Sequence, residues 1–197
     1  MDPHEVKIVR QYAINEVAGG LLLGHHLLRS EDPYVRSQLT YHTLDELKHG
    51  WLWTQFLDKK GVGVAGAKGG NEYFDFIGRQ EDDMRFLAAV HIYELRVPFH
   101  LTIHMELPEI DPELKEVMRG IRDDEKFHLG WIRKYLLEKI KTDPISVKGA
   151  VAEAEQIEQA VYMGYLAHME RYGGYAGALV ALARGHLSEF ASPSSAF

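Results

Sequence analysis

Glu46-Leu47-Lys48-His49 and Glu125-Lys126-Phe127-His128 decide how this chain is read. No other glutamate has a histidine three positions after it, and both stretches sit midway along segments with helical apolar spacing. Residues i and i+3 lie on nearly one face of a helix, so each Glu and His can point at the same ion. Two such chelating units, completed by single inward glutamates from two other helices, form a dinuclear carboxylate site in the core of a four-helix bundle.

Working outward, Asp-Pro recurs at Asp2-Pro3, Asp32-Pro33, Asp111-Pro112 and Asp143-Pro144, each time ahead of a helical pattern. Asp caps free amides and Pro presets the first helical dihedral, so each dipeptide marks a helix start. Glu5 stands where it would complete a capping box with Asp2. The first helix is expected from Pro3 to about Leu28, with Val9, Tyr12, Ala13, Glu16, Val17, Gly20, Leu23 and Leu27 inward. The second, Pro33 to about Lys60, turns in Val35, Leu39, His42, Glu46, His49, Trp53, Phe56 and Leu57. A glycine-rich link follows, with room for a short helical turn around Tyr73 to Ile77. The third helix, from near Arg79 to before Pro108, carries Leu87, Val90, His91, Glu94, Val97, Leu101 and Met105 on one stripe. Pro98 removes the amide that would bond the Glu94 carbonyl, which predicts a kink or π-bulge. The fourth, Pro112 to about Lys141, turns in Leu114, Val117, Met118, Ile121, Glu125, His128, Ile132, Tyr135 and Leu136.

Two further helices, Ile145 to about Tyr172 and Tyr175 to about Phe190, carry no ligand pattern and suit padding or a subunit contact. The expectation is all-α: one ferritin-like domain over residues 1–197. Residues 1–141 form a four-helix bundle with a long crossover between helices two and three, 142–191 form the extra helices, and 192–197 a frayed tail.

Glu16, Glu46 and Glu125 each lie thirteen residues after the proline that starts their helix. At about 1.5 Å per residue, all three carboxylates reach roughly 20 Å into the bundle, near mid-height whichever way each helix runs. With Glu94 they make a buried layer of four carboxylates, whose desolvation costs several kcal/mol per ion without counter-charge. Two divalent ions would balance them. The expected ligands are Glu16, Glu46, His49, Glu94, Glu125 and His128, and the same six are the expected catalytic residues. Carboxylate-rich donors with some imidazole suit two iron ions, or manganese or a mixed Mn/Fe pair, better than copper, with zinc possible by affinity alone. Asp45 and Asp124 directly precede the motif glutamates and are expected to reach across, Asp45 to His128 and Asp124 to His49, fixing the imidazole tautomers.

Composition narrows the classes. The 197 residues are 46% hydrophobic, enough for one sizeable core. There is no cysteine, so disulfides, thiolate metal sites and a built-in rubredoxin-type centre are excluded, and the chain cannot deliver its own electrons through such centres. A net charge of −7 argues against nucleic acid as a partner. With no long apolar run and no signal-peptide pattern at Met-Asp-Pro-His-Glu, the expectation is a cytoplasmic protein that does not enter the membrane.

The six-ligand set resembles that of the ferritin-like di-iron carboxylate proteins over roughly residues 5–140. Within them, Asp45-Glu46-Leu47-Lys48-His49-Gly50, Leu52, Gly61-Val62 and Glu125-Lys126-Phe127-His128 resemble the catalytic subunit of the phenylacetyl-CoA epoxidase family of phenylacetic acid catabolism. That resemblance implies a monooxygenase-like oxidoreductase that activates dioxygen, takes electrons from a separate reductase, and hydroxylates or epoxidises an organic substrate such as an aromatic or acyl-CoA thioester. Rubrerythrin-like peroxidases usually carry a carboxylate three residues beyond the third-helix glutamate, and Val97 stands there instead. The alternatives are a ferroxidase or peroxide-scavenging protein, and a non-catalytic scaffold subunit of an oxygenase complex. Length and the two extra helices suit a homo-oligomer.

Among the other polar residues, Gly19 and Gly20 could leave a cavity or allow close packing, Tyr12 and Tyr93 could act as donors or radical sites or simply fill core, and His42 and His91 are expected to partner carboxylates. His25, His26, His100 and His104 read as surface or satisfied core. Lys59, Lys60, Lys68 and Arg79 around the crossover read as a solvated loop, with a CoA phosphate as the rival use.

Overall fold

The Asp-Pro starts act as their chemistry dictates. In the computed structural model, which describes residues 1–66 and 68–187, the side chains of Asp2, Asp32, Asp111 and Asp143 each accept from a backbone amide of the following turn. Prolines occupy the first helical position behind them. Seven helices result among the described residues: α1 (Pro3–Arg29), α2 (Pro33–Lys59), α3 (Glu72–Gly78), α4 (Asp83–Met105), α5 (Pro112–Ile140), α6 (Pro144–Glu170) and α7 (Gly174–His186). There is no strand among the described residues. The end expected near Phe190 and the tail 192–197 lie outside them.

Short links join α1 to α2 and α4 to α5, and each pair packs along its length, as antiparallel helical hairpins do. The segment between α2 and α4 is longer and holds α3, capped by Asn71. All eight residues expected on the inner face of α2 are buried. On α5 eight of nine are, Val117 being half-buried. These helices present one face inward, so their periodicity is clean.

α4 differs. Phe86 to Ile92 are buried without a break, because α6 covers the side of α4 that α5 does not. The helix starts at Asp83 rather than near Arg79, since the Asp82 side chain accepts from the Arg85 amide and sets the N-cap. It also runs through Pro98 as an α-helix, with no π-turn, which corrects the bulge predicted there. Glu5 turns inward and accepts from Tyr175 at 2.9 Å, a use its capping-box position does not suggest. Among the described residues, no helix is long and apolar enough to cross a membrane.

Two glycines set how closely the first hairpin packs. A Cβ on Gly50 would stand 2.6 Å from Val17 Cγ2 and 3.2 Å from the Ala13 carbonyl. A Cβ on Gly20 would stand 3.2 Å from Glu46 Cβ. Their bare backbones let α1 and α2 approach beside Glu46 and His49.

Candidate metal centre

α1, α2, α4 and α5 each carry part of the ligand set inward, and the structure brings all six expected residues together. Two donor clusters form: Glu16, Glu46, His49 and Glu125, and beside it His42, Glu46, Glu94 and His128. Within each, one ligand atom per residue lies within 4.8 Å of the others. Glu46 belongs to both. Glu125 also spans them, with Oε1 3.6 Å from His49 Nδ1 and Oε2 3.0 Å from His128 Nδ1.

Both motif histidines aim Nδ1 at the carboxylates. His49 Nδ1 stands 4.0 Å from Glu16, 3.8 Å from Glu46 and 3.6 Å from Glu125. Donors bound about 2.1 Å from one ion at right angles stand about 3 Å apart, so these separations need only slight contraction around a metal. His49 Nδ1, Glu46 Oε1 and His42 Nε2 are buried with no hydrogen-bond partner. Buried polar atoms are normally satisfied, so this donor set fits a pair of metal ions. The two clusters could hold them.

Behind the ligands, Asp124 Oδ2 lies 3.4 Å from His49 Nε2 and 3.1 Å from Lys48, and Asp45 Oδ2 lies 3.5 Å from His128 Nε2. The pairing across helices is the one the sequence suggested. A carboxylate on Nε2 leaves Nδ1 as the lone-pair donor toward the centre. Burial pushes the Asp124 carboxyl up, but the bonds from Lys48 and His49 outweigh it and hold it below its ordinary value.

Crowding marks the four glutamates. Burial, then the charge of Glu94, raises Glu46 to about 8. Burial and Glu46 raise Glu16, and burial and Glu94 raise Glu125. Burial also pushes Glu94 up, but the neighbouring Glu125, His128 and His42 side chains overcome it and hold Glu94 well below its ordinary value. The chain alone therefore keeps protons on this layer, and metal binding would release them.

His42 takes a larger place than its sequence position suggested. Its Nε2 lies 3.3 Å from Glu94 and 3.5 Å from Glu46, and its ring stacks on His128 with centroids 3.7 Å apart. It is both a carboxylate neighbour and a seventh candidate ligand. Its place on the α2 stripe, one turn before Glu46, was the available signal. Trp53, read only as core, donates from Nε1 to Glu16 Oε1 at 3.2 Å. His91 is buried outside both clusters, and burial lowers it to about 4.

A cavity of about 680 Å³ opens on Glu16 between α1, α4 and α6. Tyr12, Tyr93, Val97, Leu101 and Tyr165 line it, with Lys68 among the polar residues. Its wall also carries a buried ion pair, Arg96 to Glu158, through two hydrogen bonds of 2.8 Å. Gly20 serves close packing against Glu46 and Leu47, while Gly19 lies beside the site, its added Cβ 3.8 Å from Glu46 Oε2. Of the crossover cations, Lys59 and Lys60 pair with Glu113, and Lys60 also with Asp111, at the start of α5. Arg79 bonds the Asp75 carbonyl.

No protein-family model matches the chain, and no curated protein matches it. The reading of the centre rests on its own geometry and on the motif residues.

Proposed function

We propose that the chain is a ferritin-like, non-haem di-iron oxidoreductase that uses dioxygen to hydroxylate or epoxidise a small organic substrate. The observation that carries the reading is that two buried donor sets share Glu46 while a largely apolar cavity opens on Glu16. Glu16, Glu46, His49 and Glu125 would hold one iron. Glu46, Glu94, Glu125 and His128 would hold the other, with His42 in reach. Manganese, alone or mixed with iron, suits the same donors. The bound metals would supply reductive activation of dioxygen.

The chain's own residues do the rest. Asp45 and Asp124 orient the imidazoles. Trp53 holds Glu16 through one oxygen and leaves the other toward the cluster. Apolar walls exclude water and give an organic molecule a place beside Glu16. A pocket of this size favours an organic substrate over the ferroxidase reading, in which iron or peroxide is the substrate. The motif resemblance points to an aromatic or acyl-CoA thioester. With no cysteine, electrons would come from a separate reductase.

Protein loaded anaerobically with ferrous iron and supplied with a reductase and dioxygen tests this. Product formed in step with dioxygen uptake, from a panel of aromatic acids and acyl-CoA thioesters, supports it. Repeated iron oxidation with no organic co-substrate would favour the ferroxidase or peroxide-scavenging alternative. Failure to retain iron would favour a scaffold subunit.

A further inference from the structure

A second set of buried polar side chains starts where the metal centre stops. Trp53 on α2, whose Nε1 donates to Glu16, packs its ring against Tyr12 on α1 with centroids 5.3 Å apart. The Tyr12 hydroxyl lies 2.9 Å from His104 Nδ1 on α4. His104 Nε2 lies 2.6 Å from the Tyr175 hydroxyl on α7, which donates to Glu5 Oε1 at 2.9 Å. His104 and Glu5 are buried. The path crosses four helices and ends away from the cavity.

The end of the chain fixes its direction. The Tyr175 hydroxyl donates to Glu5, so the Tyr175 oxygen accepts from His104 Nε2–H. That tautomer leaves Nδ1 as a lone pair facing the Tyr12 hydroxyl. Every proton is thus poised one step from the next acceptor. Burial keeps His104 neutral, lowering it to about 3, which the accepting Nδ1 requires.

We propose that Tyr12 is a one-electron donor to the metal centre through Trp53, and that His104, Tyr175 and Glu5 take up its proton in a relay. The proposal rests on the di-iron reading. The oxidant is the centre after reaction with dioxygen. One electron leaves the Tyr12 ring for that centre and the Tyr12 O–H bond breaks, its proton passing to His104 Nδ1. The Nε2 proton of His104 passes to the Tyr175 oxygen, and the Tyr175 proton to Glu5 Oε1. Tyr12 is left a neutral radical, His104 and Tyr175 remain neutral, and Glu5 gains the proton that balances the lost electron. A one-electron donor of the reduced flavin or iron–sulfur class restores Tyr12, and the protons return. Such a relay gives the centre an extra electron when it oxidises without substrate bound.

The test mixes ferrous-loaded protein with dioxygen and freezes samples at intervals. Paramagnetic resonance reads the organic radical, and absorbance reads iron oxidation in the same samples. The native chain is expected to give a tyrosyl spectrum that narrows when it is grown on ring-deuterated tyrosine. Tyr12→Phe is expected to lower the signal at least tenfold, and His104→Gln, which breaks the proton path outside both donor clusters, to slow its appearance at least tenfold while iron still oxidises. Iron oxidation with no tyrosyl signal in the native chain, or a signal of full size in Tyr12→Phe, would overturn the relay and leave the metal reading standing. Absence of iron uptake would overturn both.

Discussion

Two buried polar layers lie side by side in this bundle, and they are solved in different ways. In one, Glu158 on α6 meets Arg96 on α4 in a two-pronged ion pair, with the guanidinium 4.1 Å from the centre of the Tyr162 ring. Opposite charges meet there within the chain. In the other, four glutamates face three imidazoles and one another, leaving Glu46 Oε1 and His49 Nδ1 without a hydrogen bond. The first layer balances its charge with the chain's own residues. The second has no such balance and could hold cations from outside, which is why it reads as a site.

The sharpest break between the layers comes from neutralising a carboxylate in each. Glu158→Leu removes the carboxylate that Arg96 meets in the interior and is expected to cost about 3–5 kcal/mol, seen as a large fall in melting temperature with or without metal. Glu46→Gln relieves repulsion instead, so the metal-free chain should melt no lower than native while losing metal. Equal destabilisation by both would erase the distinction.

The candidate metal layer and the buried histidines of α4 should also answer pH with opposite slopes. Glu46 is raised to about 8 in the folded metal-free chain, above its unfolded value near ~4.3. Its contribution is therefore present below about pH 4.3 and is lost as pH rises toward 8. His100 and His104 are lowered to about 4 and about 3 by burial, from an unfolded value near ~6.5. Their contribution is present above about pH 6.5 and is lost as pH falls, at up to about 1.4 kcal/mol per pH unit for each group. Melting curves across pH should show both limbs. Glu46→Gln or metal loading should flatten the alkaline one, and His104→Gln the acid one.

A smaller effect is expected from Gly50→Ala, whose new methyl meets Val17 Cγ2 at 2.6 Å and the Ala13 carbonyl at 3.2 Å. Overpacking of this kind costs about 1–3 kcal/mol, and because it separates α1 from α2 beside His49 it should weaken metal retention too. The smallest is Asp124→Asn. Asp124 is 41% exposed, so the melting temperature should barely move, while metal affinity should fall by roughly 10- to 100-fold if the contact to His49 orients that ligand. Unchanged affinity would return Asp124 to the solvated surface.

Most of the candidate metal layer was legible in the sequence because its members repeat a local pattern. Glu46, His49, Glu125 and His128 stand at helical spacing, and Glu16 shares their depth behind an Asp-Pro start. The inner faces of α2 and α5 were readable for the same reason: each has one buried side. The Arg96–Glu158 layer had no such signature. Its partners are 62 residues apart, on helices whose contact no single-helix periodicity encodes. α4, covered on both sides, blurs its own stripe, and its true start depends on a cap at Asp82. The extra helices looked like padding, yet α6 supplies Glu158 and α7 supplies Tyr175.

The most direct measurement is metal content per chain, by elemental analysis after anaerobic ferrous loading, for the native protein beside Glu46→Ala and Glu125→Ala. The account predicts about two irons in the native chain and clear loss in both variants, because both glutamates span the two clusters. No retained metal, or equal metal in all three, would contradict it.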